Sequence, residues 1–475
     1  MINHLLLLLI IIPLLGAFFV LSSKDSNVLS KHNVYNVSIW TLLLNVCLIL
    51  LIFSYMDETK QSIQIIEKYY WIQQPKIDIF LGVDVFSMLL VLSINLSFLI
   101  SMICIAKDED YSKTLVATEM IFISFINGYL VSADIISFYI FFAAISAPLI
   151  ILISTYASSR KKNVLVRFSI YNLIGELVLL ISIILMYQYR QSNVPLNAAG
   201  NISLKGVAEY IVWIGILFAF ISRLPIWPFH YWISTINSSI KNPLVFLVSN
   251  LIPLMGLYGF MRFWPNTIPD TISKYAPILE IICIITMLFI SLVSVSHKDI
   301  RYKLFAYSTV YYLLYLIGVF MPTNILKQNI GYSLFSYILI ITVLSFLISH
   351  IEEQKKRLNI YGASGILCYM PRVSLCISIF ILAGIGLPIT PLFWNNFIII
   401  SEIFNTNLIL GVFVVLSIFI VAISLFEELY KQKEKSFATT SCSLSIDLSD
   451  VQFYVYICCI VILFFSFFKP LWFIF

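Results

Sequence analysis

Residues 214–232 form an apolar segment that one charged side chain and two prolines interrupt. The run GILFAFISRLPIWPFHYWI carries Arg223, followed by Pro225, Pro228 and His230. An arginine inside a long apolar run is costly in a membrane unless it is paired or hydrated, so it indicates function. The prolines break the helix, which is tolerated where protein or water satisfies the freed carbonyls. Membrane transporters build ion sites from broken helices that carry charge, and this segment therefore predicts an ion-transport site.

Few other titratable residues are predicted at membrane depth. The full set is Glu119, Asp134, Glu176, Arg223, His230, Arg262 and Glu280. Arg262 and Glu280 lie at the ends of predicted helices, where a long side chain is expected to reach the polar interface. Asp134 falls in a predicted turn, where a helix cap and a functional role both remain open.

Four of these residues are the candidates for an ion pathway. Glu119, Glu176 and Arg223 lie inside predicted spans, so we expect them to face a protein interior and to find partners or water there. His230 has two open interpretations, a packed core residue or a proton carrier, because it follows a helix break and an arginine. No catalytic residue is predicted.

The amino-acid composition predicts a membrane protein. The chain has 475 residues, of which 60% are hydrophobic and 11% charged, with a mean hydropathy of +0.97. Such a chain is not a soluble globular protein but is expected to lie in a lipid bilayer. A net charge of +5 spread over membrane loops predicts no nucleic-acid partner. The first apolar run lacks the basic start and the cleavage site of a signal peptide, so we expect a retained helix.

The cysteines and glycines carry no cofactor motif. The eight cysteines follow no metal-ligand spacing, and the chain has no CxxC pair, Walker loop or dinucleotide fingerprint. We therefore expect no metal, flavin, iron–sulfur or nucleotide chemistry, and no cofactor, in this chain itself.

Apolar runs of about 20 residues predict an all-α, polytopic membrane protein of about 14 helices. They lie near 2–21, 34–55, 82–106, 112–130, 132–156, 165–188, 208–235, 242–263, 275–296, 303–322, 328–350, 371–403, 407–428 and 451–474. The seventh and twelfth predicted helices are discontinuous, the latter at GIGLPITPLF. Two broken helices five elements apart predict inverted five-helix repeats.

The predicted organisation is a single membrane domain, 1–475. It comprises three N-terminal helices in 1–110, a first repeat in 111–263, a second repeat in 275–428 and a last helix in 451–474. Lysine and arginine are about twice as frequent in loops after odd-numbered helices, which places those loops on the cytoplasmic or matrix side. Loops 157–164, 351–370 and 429–450 are therefore expected on that side, and 56–80 and both termini on the other.

Five segments carry a family resemblance. They are LGVDVFSMLLVL (81–92), DIISFYIFF (134–142), RLPIWPFHYW (223–232), HKDIRYKLFAYSTV (297–310) and AGIGLPITPLFWNNF (383–397). Together they resemble the antiporter-like membrane subunits of respiratory complex I, above all subunit M of bacteria and chain 4 of mitochondria. This group is related to subunits of cation/proton antiporters. The resemblance implies proton translocation coupled to quinone (ubiquinone) reduction in a bacterial or mitochondrial inner membrane, with other membrane subunits as partners.

The chain departs from the family at most of the charged positions. The family's lysine before the proline is Arg223, and its carboxylate on the fourth helix corresponds to Glu119. The other charged or histidine positions fall on Ala143, Leu254, Tyr312, Tyr337 and Asn396. A proton relay needs groups that titrate near the working pH, which Ala, Leu and Asn do not do and Tyr and Arg do only at high pH.

These departures predict a new partner for Arg223. The family's carboxylate on the fifth helix is Ala143 here, and an unpaired buried charge is strongly destabilising. We expect Glu176, which follows Gly175 on the sixth predicted helix, to form a direct or water-bridged pair with Arg223. Glu119 is the second candidate.

Three functions fit these observations. The first is a divergent membrane-arm subunit of complex I whose proton transport is impaired or rerouted. The second is a subunit of a multi-subunit cation/proton antiporter, and the third a non-pumping structural paralogue. The GVD and AYSTV segments favour the first over the second, whereas the lost carboxylates and lysines favour the third over a competent pump. The segment HKDIR (297–301) is either a solvated turn or a docking site.

Overall fold

The chain is mostly helical, as predicted. The computed structural model describes residues 4–23, 28–57, 60, 62–73, 77–105, 112–156, 162–190, 206–230, 242–263, 269–321, 325–357, 366–388, 390–433 and 447–472. The helices are α1 (Leu5–Ser22), α2 (Val28–Ser54), α3 (Val85–Ile105), α4 (Lys113–Val131), α5 (Ile135–Ala144), α6 (Ser146–Tyr156), α7 (Lys162–Arg190), α8 (Val207–Ile221), α9 (Pro243–Phe263), α10 (Pro269–Ser296), α11 (Ile300–Phe320), α12 (Ile325–Arg357), α13 (Pro371–Ile385), α14 (Pro391–Thr406), α15 (Leu408–Lys433) and α16 (Asp450–Trp472). In these ranges, 11 spans are long and apolar enough to cross a membrane, which agrees with a polytopic membrane protein. The count of 14 helices stays a prediction.

A β-hairpin occupies much of segment 56–80, which the sequence analysis treated as a loop. Strands β1 (Ile65–Ile72) and β2 (Ile77–Val83) pair antiparallel, and the Ile, Tyr and Trp residues of IIEKYYWI are strong strand formers. The hairpin also caps α1, because both carboxylate oxygens of Glu67 accept bonds from the backbone N–H groups of Leu6 and Leu7, at 3.0 and 3.2 Å. A carboxylate at a helix N-terminus is favourable there.

Prolines decide where several helices end. The ring of a proline clashes with the carbonyl four residues earlier and offers that carbonyl no N–H. Accordingly, α8 ends at Ile221, four residues before Pro225, and residues 222–230 form turns. The end of the predicted seventh helix, 231–235, lies outside the described residues. In the predicted twelfth helix, α13 ends at Ile385, Gly386 adopts a left-handed φ of 93°, and α14 begins at Pro391.

The predicted fifth helix has an interruption that the sequence analysis missed. Residue Ile145 separates α5 from α6, although its backbone stays helical. The cause lies in α6, since Pro148 has no N–H to give to the carbonyl of Ala144. A proline in SAPLIILISTY was the available signal.

A chain of buried amides joins the four N-terminal helices. Pro13 leaves the carbonyl of Leu9 without its helical donor, and Asn127 Nδ2 donates to that carbonyl at 3.3 Å. Asn95 Nδ2 donates to Asn127 Oδ1 and Asn45 Nδ2 to Asn95 Oδ1, both at 2.8 Å. All three asparagines are fully buried, so these bonds hold the first four helices, α1 through α4, against one another.

Contacts divide the chain into two compact units. Unit 1 comprises Met1–Trp232 and Leu251–Leu279, and unit 2 comprises Ile233–Asn250 and Glu280–Phe475. Helices α9 and α10 contribute to both. The predicted repeats, 111–263 and 275–428, stay a prediction.

Candidate ion-pathway site

Arg223 is the centre of a buried polar cluster in unit 1. It lies in the turn after α8, and none of its surface is exposed. Its Nη2 donates to the carbonyl of Phe142 at 2.7 Å and to Ser146 Oγ at 3.0 Å. The guanidinium carbon also lies 3.7 Å from the centroid of the Phe142 ring, a cation–π distance. The interruption between α5 and α6 thus supplies three of its contacts.

Glu176 on α7 supplies the countercharge. Arg223 Nη2 lies 3.0 Å from Glu176 Oε1, so the predicted pair is formed and it is direct. The Ser146 hydroxyl donates to the same Oε1 atom. The carboxylate is buried as well, with 7% of the residue exposed. A buried pair of this kind is strongly destabilised when one partner is removed, by about 3–5 kcal/mol.

The other edge of the guanidinium has weaker partners. Arg223 Nη1 lies 3.1 Å from Met255 Sδ on α9, next to Leu254, where the resemblance predicts a lysine in the family. Among the described residues, Arg223 Nε has no hydrogen-bond partner. A thioether is a weak acceptor, so Glu176, Ser146 and the carbonyl of Phe142 are the polar groups that hold the charge.

Glu119 does not compete for Arg223. It lies on α4 and is fully buried. Within the described part of the chain, neither of its carboxylate oxygens has a hydrogen-bond partner. Glu119 is therefore a buried carboxyl group that does not bond to Arg223.

His230 is half-buried at the end of the described turn, seven residues beyond Arg223. In the described residues, the hydrogen bonds of Arg223 and Glu176 reach neither His230 nor Glu119. The structure thus brings together two of the four candidates. Ser146 and Met255 could not be recognised from the sequence, because neither side chain is charged.

Asp134 is a helix cap, the first of the two alternatives, and the functional role stays a prediction. Its Oδ2 accepts from the backbone N–H groups of Ile136 and Ser137, at 3.1 and 2.9 Å, at the start of α5. Its Oδ1 accepts from the N–H of Phe80 in the hairpin at 2.9 Å.

Arg262 has partners that its local sequence did not indicate, and its expected reach to the polar interface stays a prediction. Its side chain forms two bonds of 2.7 Å with Asp84, and its Nε donates to the Tyr258 hydroxyl at 2.9 Å. Burial alone would raise the pKa of Asp84, but Arg262 outweighs it and holds the pKa of this carboxyl below its usual value. The acid of the GVD segment thus ties α3 to α9. Glu280 is half-buried on α10.

In unit 2, two tyrosines stand at the positions where the resemblance predicts histidines in the family. The rings of Tyr312 and Tyr337 are 5.1 Å apart between centroids, and both are fully buried. The Tyr312 hydroxyl donates to the carbonyl of Asn250 at 3.0 Å. Asn396, where the resemblance predicts a carboxylate in the family, is also buried.

Two further tyrosines reach the break between α13 and α14. Pro388 leaves the carbonyl of Gly384 without a helical donor, and the Tyr307 hydroxyl donates to it at 3.1 Å. The Tyr311 hydroxyl donates to the carbonyl of Ile385 at 3.3 Å. Neutral hydroxyl groups therefore donate to two of the backbone carbonyls at this break.

Charged pairs in unit 2 lie towards helix ends. Arg301, in HKDIR, is buried and lies 2.7 Å from Glu352, so the interpretation as a solvated turn is wrong for this residue. Lys303 is also buried and lies 3.2 Å from Glu428. In the described ranges, no three His, Cys, Asp or Glu residues are grouped so that they could hold a metal ion.

Comparison with known proteins places these features in a family. The family described as "NADH:quinone oxidoreductase/Mrp antiporter, TM" matches residues 132–421. NADH-quinone oxidoreductase subunit M of Rickettsia typhi is 25% identical over 437 residues, covering 89% of this chain and 86% of the relative. NADH-ubiquinone oxidoreductase chain 4 of Marchantia polymorpha is 25% identical over 408 residues, covering 84% and 80%. A chain of respiratory complex I from Thermus thermophilus has the same fold, with a TM-score of 0.85 at 18% identity, covering 98% of this chain and 96% of that one.

Proposed function

Since this chain belongs to the NADH:quinone oxidoreductase/Mrp antiporter membrane family, we propose that it is a membrane-arm subunit of a complex I-type quinone oxidoreductase. Its curated relatives are bacterial and mitochondrial subunits of that enzyme. Its partners are then other membrane subunits, in a bacterial or mitochondrial inner membrane. The chain itself supplies no redox chemistry, and its part in the enzyme is the movement of protons that accompanies quinone reduction.

The proton pathway of this chain is confined to unit 1. The observation that carries this proposal is the Arg223–Glu176 pair at the break after α8, at 3.0 Å. Arginine stays protonated, so Arg223 sets the electrostatic field of the site and does not pass a proton. Glu119, Glu176 and His230 can bind and release one, and all three belong to unit 1.

A non-pumping structural subunit is the second candidate. It is favoured by unit 2, where Tyr312, Tyr337 and Asn396 stand at positions that are charged or histidine in the family. Phenols and amides do not titrate near neutral pH.

Proton pumping in inverted membrane vesicles tests the two candidates. The double variant Glu176→Gln/Arg223→Met removes both charges, so that no buried charge is left alone. We expect the enzyme to assemble and to oxidise NADH but to move fewer protons per NADH. The matched control is Lys303→Met/Glu428→Gln, which removes a buried pair of unit 2 and should leave this ratio unchanged.

Two results contradict the proposal. An unchanged ratio of protons to NADH in the Glu176→Gln/Arg223→Met variant would establish the structural role instead. Recovery of the chain after mild-detergent native electrophoresis only near its own mass of 54.5 kDa would exclude a subunit role altogether.

A further inference from the structure

Helices α7 and α8 approach each other closely at two points. A Cβ atom added to Gly175 would lie 2.5 Å from Ser222 Oγ, and one added to Gly215 would lie 1.9 Å from Ser182 Oγ. Real Cβ atoms do not approach other atoms so closely. At each point, the missing side chain of a glycine leaves room for a serine of the other segment. Small residues allow the backbones of membrane helices to approach closely in this way.

The Gly175–Ser222 and Gly215–Ser182 contacts form one line of close packing between the two segments, which we call the seam. Gly175 and Ser182 are seven residues apart on α7, and Gly215 and Ser222 are seven residues apart at the end of α8. Seven residues are about two helical turns, so both members of each set lie on one face. The order is reversed in the two segments, because Gly175 meets Ser222 and Ser182 meets Gly215. The seam therefore fixes the depth of one segment against the other.

The ion pair lies directly beside one end of this seam. Glu176 follows Gly175, and Arg223 follows Ser222. The Ser222 hydroxyl is itself held in place, since it donates to the carbonyl of Ala219 at 2.7 Å. A larger side chain at position 175 would have to displace this hydroxyl or part the two segments, and would carry Glu176 away from Arg223.

We propose that Gly175 and Ser222 are positioning residues for the Arg223–Glu176 pair. Their contact places the carboxylate of α7 at the depth of the guanidinium, where the family's own carboxylate position is Ala143. The seam explains why a residue of α7 serves as the new countercharge. This inference concerns the site used in the proposed function, but it rests on the geometry of the pair and is tested without measuring transport.

The experiment compares one substitution in two backgrounds. Gly175→Ala is introduced into the full chain and into the Glu176→Gln/Arg223→Met chain, and the melting temperature of each is measured in mild detergent. A positioning residue loses its importance when the pair is absent. We therefore expect the decrease in melting temperature to be at least twice as large in the background that keeps the pair.

A matched control and a rescue complete the design. Gly215→Ala disturbs the same seam away from the pair, so its decrease should be equal in the two backgrounds. Ser222→Gly removes the atoms that an alanine at position 175 would meet, and Gly175→Ala/Ser222→Gly should regain most of the loss. Equal decreases for Gly175→Ala in both backgrounds, or a failed rescue, would show that the seam only packs helices. Because no transport is measured, a failed pumping proposal would leave this result unaffected.

Discussion

Units 1 and 2 both contain a helix that prolines interrupt, but the side chains at the two interruptions differ in chemistry. Unit 1 places a fully buried arginine at the break and balances it with Glu176. In unit 2, the hydroxyls of Tyr307 and Tyr311 donate hydrogen bonds to backbone carbonyls at the break. A hydroxyl satisfies a carbonyl without bringing a charge into the interior, whereas an ion pair has to offset a desolvation cost of several kcal/mol per ion.

The buried charge in unit 1 points to a reason other than stability. In unit 2, two carbonyls at the break accept hydrogen bonds from neutral tyrosine hydroxyls, and these bonds involve no charge. A buried ion pair is weak evidence for stability, since apolar residues of similar volume often do as well. Unit 1 nevertheless contains a buried arginine paired with a carboxylate, which is the arrangement expected of a functional electrostatic site.

The largest effect is expected from breaking the pair in unit 1. Glu176→Gln leaves Arg223 buried without a countercharge and should lower the free energy of unfolding by about 3–5 kcal/mol. Adding Arg223→Met removes the stranded charge and should recover part of the loss. Reversible unfolding of the full chain in mixed micelles measures both values. If the two losses simply add, the residues do not act as a pair.

The sequence predicted this pair because each step had a local signal. Arg223 stands out in an apolar run, Ala143 cannot serve as its partner, and Glu176 lies at a reachable depth. The same reasoning missed the contacts made by neutral groups. Ser146 has no distinguishing type, and its position depends on an interruption that Pro148 creates one helix away.

Long-range partners limited the prediction elsewhere. The tie between Asp84 and Arg262 joins residues 178 positions apart, and nothing in either local pattern indicates it. The tyrosines of unit 2 were recognised as replacements at Tyr312 and Tyr337. The contacts of Tyr307 and Tyr311 could not be derived, because they depend on which carbonyls near Pro388 lack a helical donor in three dimensions. The hydropathy of the sequence was sufficient to locate the helices. The side-chain contacts at their interruptions depend on which backbone carbonyls lack a donor there.

A smaller effect should distinguish ion pairs from hydrogen bonds made by tyrosine hydroxyls, because only the contribution of an ion pair to stability depends on pH. The folded-state pKa of Asp84 lies below its unfolded value of about 3.9. Its stabilising contribution is therefore complete above that value and disappears as the pH falls through the folded-state pKa. Asp84→Asn removes the charge and should cost about 1.5–3 kcal/mol at neutral pH, the usual range for a bond to a charged group.

The comparison with unit 2 supplies the control for this acid effect. Between pH 3 and neutral pH, a phenol with a usual pKa of about 10 stays neutral. The loss caused by Tyr307→Phe should therefore be the same at acid and neutral pH, whereas the loss caused by Asp84→Asn should shrink at acid pH. Unfolding of both variants at several pH values measures the two slopes. A constant loss for Asp84→Asn would mean that its ion pair does not stabilise the fold.

The smallest effect is expected from the hydroxyl tie itself. Tyr307→Phe keeps the ring and its contacts with Tyr311 and Tyr337 but removes the donor to the carbonyl of Gly384. The loss should be about 1 kcal/mol, the typical net contribution of one hydrogen bond. Because no charge is stranded, this loss should stay below that of Glu176→Gln.

Tyr302→Phe is the matched control on the same helix. Tyr302 is half-buried, and among the described residues its contacts are those of its ring with His297 and Phe305. Removing its hydroxyl should change the free energy of unfolding little. If Tyr307→Phe costs no more than Tyr302→Phe, the break in unit 2 does not depend on its tyrosine donors. If it costs as much as Glu176→Gln, the two units do not differ in the way that their chemistry implies, since a neutral bond would then stabilise the fold as strongly as a buried ion pair.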